Sequence, residues 1–265
     1  MSLMQKTISL EYGKARVFTN TTRIESGYAG ALEAAALIRA AISARGTARV
    51  MVGTGNSQLA LVDALMEQPA INWNVVEAFH MDEYVGISTA HPASFRRWLK
   101  LRVQDRQNLA ALHYLDGDAS DLSSEIARYT ALLYTTPVDV AFVGFGENGH
   151  IAFNDPAVAN FSDPAAVKIV TLDSTCRSQQ VGEGHFKSIA DVPSEALTVT
   201  CSALLRARAW VCCVPERRKA PAVRAALEGE ISTVCPASIV REHPHASVYL
   251  DDESASLLSV RSSTA

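Results

Sequence analysis

One histidine stands among amide and carboxylate side chains in the run Gly144-Phe-Gly146-Glu147-Asn148-Gly149-His150-Ile-Ala-Phe-Asn154-Asp155-Pro156. An imidazole titrates near neutrality, so such a neighbourhood suits proton transfer. Gly144, Gly146 and Gly149 let the backbone turn sharply and approach another molecule closely. The same residues also fit a glycine-rich turn whose histidine only makes hydrogen bonds, and the run by itself leaves both readings open. A second candidate is the acidic pair Asp82-Glu83, which follows an apolar stretch and makes Asp82 a candidate carboxylate base. A third is Gly53-Thr54-Gly55-Asn56-Ser57, small residues between a β-like run and a helical one. Backbone N–H groups at such a helix start can hold an anion, although an ordinary capped turn has the same spacing. Arg217, Arg218 and Lys219 begin a helical pattern, where positive charge opposes the helix dipole. A bound anion would account for them, and so would a solvated basic face.

These residues need a scaffold that brings their loops together. Val138–Val143 is a short apolar run suited to a buried strand, as are 48–52, 75–79 and 209–214. Further strands are expected at 167–170, 193–199 and 247–250, with an early strand or hairpin within 5–22. Helical spacing covers 26–45, with Gly46 as a stop, and 59–66. A helix is expected from His91-Pro92 through Leu99, one capped by Asp121, and one after Pro215 that stops at Gly229. Short helices are expected at 236–240 and from Asp251-Asp252-Glu253. Strands alternating with helices imply an α/β fold: a mainly parallel sheet with helices on both faces, in one domain spanning 1–265. Ligands of such sheets bind where loops leave the carboxyl ends of the strands. Residues 1–3 are read as an addition ahead of a start at Met4.

Composition narrows the classes. A formal charge of −4 offers no basic field for nucleic acid, and no apolar run has the length of a membrane span. The five cysteines form no C-x-x-C pair, which points to core thiols and a cytoplasmic location. The seven histidines lack zinc-ligand spacing, so no metal is expected. Gly144-x-Gly146-x-x-Gly149 matches a dinucleotide pattern only formally, since no acidic ribose-binding residue is in place.

Two words in the chain, Gly-x-Gly-x-Asn-Gly-His-Ile-Ala-Phe-Asn-x-Pro and Met81-Asp-Glu-Tyr-Val-Gly86, resemble signatures of the glucosamine-6-phosphate deaminase/isomerase family. The resemblance extends over roughly 50–250 and implies a modified Rossmann-like sheet with no cofactor. It implies conversion of glucosamine 6-phosphate to fructose 6-phosphate and ammonia. Asp82 would move a proton between C2 and C1, and His150 would help to open the sugar ring. Thr54, Gly55, Asn56 and Ser57, with Gly149, Arg177 and Lys219, would bind the substrate and its phosphate. Two departures concern the histidine: many members have Asp at Asn148 and Glu at Asp155. Asn148 can orient the ring, whereas only Asp155 can offset its charge, so both are counted with the catalytic group. Alternatives are galactosamine-6-phosphate isomerase, 6-phosphogluconolactonase and a sugar-phosphate-sensing module. The last should carry a DNA-binding helix-turn-helix, for which the chain has neither room nor charge. The expected partner is a small sugar phosphate, with no nucleic acid or membrane and with a homo-oligomer left open.

Overall fold

The apolar runs become strands of two separate sheets in a computed structural model that describes residues 8–259. The reading of residues 1–3 lies outside that range. The large sheet contains β1 (Ile8–Tyr12), β2 (Ala15–Asn20), β3 (Ala48–Val52), β4 (Val76–His80), β6 (Ala111–His113), β7 (Val140–Val143), β10 (Ala209–Val214) and β11 (Ala246–Asp251). The small sheet contains β5 (Asp82–Tyr84), β8 (Val167–Thr171) and β9 (Glu195–Val199). The large sheet runs in the order β1-β2-β11-β10-β7-β3-β4-β6, and all its pairings except β1 with β2 are parallel.

Alternation along the central strands sends side chains to two cores. Met51, Ala141, Val143, Trp210 and Cys212 face one core; Val50, Val52, Phe142, Val211 and Cys213 face the other. The second core is closed by α1 (Arg23–Arg45) and α2 (Leu59–Met66). The first is closed by α4 (Leu122–Leu133), α6 (Cys201–Leu204) and α7 (Ala220–Glu228). Both faces are therefore covered, as a parallel sheet requires. Adjacent Cys212 and Cys213 point to opposite faces, and all five cysteines are free and buried. No helix among the described residues is long and apolar enough to cross a membrane.

Some local expectations change. α1 starts three residues before the spacing suggests, because Thr22 and Glu25 form a reciprocal capping box. Its C-terminus is at Gly46, which takes the left-handed φ of 78°. The helix expected from His91 starts only at Phe95 (α3, Phe95–Leu99). The buried Glu83 carboxylate accepts the N–H groups of Phe95 and Arg96 at 3.2 and 2.9 Å, which places the helix start there. No helix opens at Asp251. Its carboxylate is taken up by the N–H groups of Glu216 and Ser254, and the chain continues in turns. The stretches at 167–171 and 195–199 pair antiparallel with each other, and β5 joins β9, apart from the parallel sheet. One residue, Met81, separates β4 of the large sheet from β5 of the small one. The small sheet packs with α3 and α5 (Ser174–Gly182) around Tyr84, Phe95, Phe153 and Phe186. These rings form an aromatic cluster around Tyr84, whose ring centroid lies 5.1, 5.1 and 5.4 Å from those of Phe95, Phe153 and Phe186.

Candidate active site

The order of the large sheet creates the cleft. From β3 the chain proceeds to β4 and β6 on one side, then returns to β7 on the other side and proceeds to β10 and β11. Loops leaving β3 and β7 therefore diverge, which is where open α/β sheets bind ligands. The loops after β3, β4, β7 and β10 meet there with α3 and α5 around a cleft of about 550 Å³ that is open to solvent. Thr54, Gly55, Asn56, Ser57, Asp82, His150 and Lys219 all line it.

Asp82 sits where the backbone steps from one sheet to the other. It is 7% exposed, and its Oδ1 has no hydrogen-bond partner. Burial, reinforced by the neighbouring charge of Glu83, pushes its carboxyl up to about 8. A carboxylate without hydrogen bonds in an apolar surround is a stronger base than one in water. Glu83 next to it points the other way and is fully committed. It accepts from the Ser94 hydroxyl and from the N–H groups of Tyr84, Phe95 and Arg96, and it lies 3.4 Å from the Arg96 guanidinium. The two acids of Asp82-Glu83 thus divide into a carboxyl that faces the cleft without donors and an anchor that holds the strand carrying it.

The loop after β7 folds back on itself to present His150. Gly146 donates to the His150 carbonyl at 2.8 Å, and the His150 N–H donates to Asn148 Oδ1 at 3.0 Å. A Cβ on Gly146 would fall 2.2 Å from the imidazole, so only glycine leaves space for the ring. Gly149 has φ of 81°, and its carbonyl accepts from the Ala237 N–H, tying the loop to the segment before β11. Its side-chain position faces Cys235 and not the cleft. Behind the ring, Asp155 Oδ1 is 3.0 Å from His150 Nδ1, off the axis of a straight N–H···O bond. Asp155 also accepts from Asn148 Nδ2 at 2.9 Å and from the Asp173 N–H at 3.3 Å. Burial alone would raise its carboxyl, but His150 and these donors hold it below the usual range. Asn148 donates to Asp173 as well, at 2.9 Å, so one amide bridges two carboxylates.

At the other end of the cleft, Asn56 and Ser57 form a single 3₁₀ turn with Gln58 ahead of α2. Lys219, 2% exposed, faces them from the loop after β10. Burial lowers the Lys219 pKa, partly offset by the nearby Glu183 charge. Arg177 does not belong to this group. Its guanidinium donates to the carbonyls of Ile189 and Val192 at 2.7 and 2.9 Å, and it does not line the cleft. Where phosphate contact was expected of Arg177, the carbonyls of its own following loop hold the guanidinium. Asn148, Gly149 and Asp155 support His150 from behind and do not themselves line the cleft.

Several lining residues escaped the sequence reading: Phe95, Phe153, Gln179, Gln180 and Glu183. Gln180 accepts the Tyr84 hydroxyl at 2.7 Å, and Gln179 accepts the Glu147 N–H at 2.9 Å. Asp173, which caps α5 through the Cys176 N–H, was likewise unmarked as a neighbour of Asp155. His150, Asp155 and Cys176 bring potential metal-binding atoms within 4.8 Å of one another. All three are buried, and burial raises the Cys176 thiol far above its ordinary range.

Residues 25–249 match the family described as glucosamine-6-phosphate isomerases/6-phosphogluconolactonase. The chain is 33% identical to a glucosamine-6-phosphate deaminase of Exiguobacterium sp. strain AT1b, over 83% of this chain and 84% of that protein. It is also 33% identical to one of Arthrobacter sp. strain FB24, over 86% and 88%. Among solved structures, a monomeric glucosamine-6-phosphate deaminase superposes with a TM-score of 0.83 at 28% identity, covering 91% of this chain and 99% of that one. A 6-phosphogluconolactonase from Shewanella baltica OS155 shares the fold at 20% identity, with a TM-score of 0.74 and coverage of 93% and 99%.

Proposed function

Because the chain belongs to the glucosamine-6-phosphate isomerase/6-phosphogluconolactonase family, we propose that it is a glucosamine-6-phosphate deaminase. The observation that carries this reading is the pairing of two different proton-transfer groups in one cleft. Asp82 is buried, without hydrogen bonds and raised to about 8; His150 is backed by an ionised Asp155. In the closed sugar, His150 moves a proton between the ring oxygen and the anomeric hydroxyl, and the ring opens to the aldehyde. Asp82 then takes the proton from C2, the electron pair forms the C1–C2 double bond of an enolamine, and the C1 carbonyl electrons move to its oxygen, which takes a proton from the substrate's own C2 ammonium. Returning the proton to C1 leaves a C2 imine, and water hydrolyses it to ketose phosphate and ammonia. Each proton that Asp82 removes is delivered back to the same substrate, so no net acid or base is consumed.

The phosphate end of the sugar is directed to the 53–57 loop and Lys219, where backbone N–H groups and an ammonium converge. Holding that remote group orients C1 and C2 at Asp82. The free, buried thiols fit a cytoplasmic enzyme.

The test is turnover on glucosamine 6-phosphate, galactosamine 6-phosphate and 6-phosphogluconolactone, following ammonia and ketose phosphate together. Equal release of both from glucosamine 6-phosphate is the expected result. Lactone hydrolysis without ammonia release would replace the reading.

A further inference from the structure

The cationic end of the cleft already holds an anion of the protein's own. Glu183, at the C-terminal end of α5, lines the cleft with a side chain only 6% exposed. Its Oε1 accepts from Gln179 Nε2 at 2.8 Å, lies 3.0 Å from an Arg218 guanidinium nitrogen and is 4.0 Å from Lys219 Nζ. Its Oε2 is 3.4 Å from His185 Nε2. The Glu183 backbone carbonyl accepts from Asn56 Nδ2 at 3.4 Å, which joins this residue to the loop after β3. Arg218 is shared further, with Glu147 at 3.1 Å and Glu216 at 2.6 Å.

The charges decide what this arrangement can bind. Arg218, Lys219 and Arg23, which lies 4.0 Å from Glu216, contribute three positive charges, against three carboxylates from Glu147, Glu183 and Glu216. Arg177, the other cation expected here, is turned away to backbone carbonyls. Burial alone would raise the Glu183 carboxyl, but His185, Lys219, Arg218 and Gln179 hold it at about 2, so it is ionised across the physiological range. A dianionic group arriving beside Lys219 therefore meets a corner whose positive charge is already matched.

We propose that Glu183 is a specificity-determining residue of this cleft: its carboxylate holds the anion position beside Lys219 and Arg218, and a sugar phosphate binds there only by displacing it. This rests on the reading of the substrate as a sugar phosphate. Binding then exchanges one anion for another at the same cations, so the phosphate gains less than it would at an open cationic site. Weakly anionic or neutral sugars lack the charge to displace a paired carboxylate and are rejected. Gln179 links Glu183 to the backbone of Glu147, so the displaced carboxylate leaves from the wall that also carries His150.

Titration of inorganic phosphate into the folded protein by calorimetry tests this without turnover. Glu183→Gln keeps the shape and removes the competing charge. Its phosphate Kd is expected to fall about tenfold, or ~1.4 kcal/mol. KM for glucosamine 6-phosphate falls with it, while kcat stays within about twofold. If Glu183 only braces Arg218 and Lys219, the same variant binds phosphate equally or more weakly, and that result overturns the proposal. A crystal of the wild-type protein soaked in phosphate gives a reading independent of the variant. The expected structure has phosphate at Lys219 and the Glu183 carboxylate moved off it; phosphate beside an unmoved Glu183, or none at Lys219, overturns the idea. Should the wild type release no ammonia from any amino-sugar phosphate, the deaminase reading fails, but the phosphate titration still decides the role of Glu183.

Discussion

Two buried carboxylates, Asp82 at the junction of the sheets and Asp155 behind His150, are pushed in opposite directions by their surroundings. Asp82 Oδ1 has no donor within reach, and burial raises its carboxyl to about 8. Asp155 is likewise closed off from solvent, yet an imidazole, an amide and a backbone N–H converge on it and hold it ionised. Burial alone therefore does not set the role of an acid; the number of donors aimed at it does. The same contrast separates Asp82 from Glu83. Adjacent in sequence, they face opposite ways along β5, one into the cleft and the other into the donors of α3.

Removing the unpaired member should have the largest effect. Asp82→Asn is expected to lower kcat about 10²–10⁴-fold with substrate binding retained, measured as ketose phosphate formation. A variant that keeps most of its kcat would show that Asp82 is not the base. Stability should move the other way. The folded protein holds the Asp82 proton more tightly than the unfolded chain, whose carboxyl stays near 3.8. That contribution is fully present below about pH 4 and is lost as the pH rises through about 8. Asn carries no such charge. Urea melts should show Asp82→Asn gaining on the wild type between pH 5 and pH 8.5, on the order of a few kcal/mol. A gain independent of pH would remove the raised Asp82 carboxyl from the account.

Asp155 sharpens the contrast from the paired side. Asp155→Asn should cost kcat roughly 10–10²-fold, since the charge opposite Nδ1 is lost. Asn148→Ala should cost less, because Asn148 orients the loop but carries no charge. A nearly unchanged Asp155→Asn enzyme beside an inactive Asn148→Ala enzyme would reverse these roles, and pH–rate profiles of both decide it. At the anion end, Lys219→Ala should raise KM about tenfold by removing a buried cation from the cleft. The smallest effect is expected for Arg177→Ala, with KM and kcat within about twofold of wild type and a lowered melting temperature from the loosened 189–192 segment. A KM increase matching that of Lys219→Ala would restore Arg177 to the phosphate site.

Local signals in the chain were sufficient for much of this. Strand runs of continuous apolar residues at 48–52, 140–143 and 209–214 specify burial on both faces, and the intervening helical spacing specifies parallel connections. Asp82, His150 and the 53–57 loop were legible because each follows such a run, and the ends of parallel strands must lie on one edge. Even the start of α1 was written in Thr22-x-x-Glu25, a capping signal that apolar spacing alone passes over. Arg177, Glu183 and the small sheet were different. Whether a guanidinium reaches a cleft or its own loop's carbonyls depends on contacts at Ile189 and Val192, more than ten residues away, which leave no periodic trace in the chain. Glu183 becomes part of the cleft only because α5 packs into the aromatic cluster around Tyr84, which sets it beside Lys219 from a distant loop. Sequence pattern determines what is local and repeated, namely strands, helices and the edge where their loops gather. Tertiary packing decides which acid is left without donors and which cation is already paired, because both follow from distances between residues far apart in the chain.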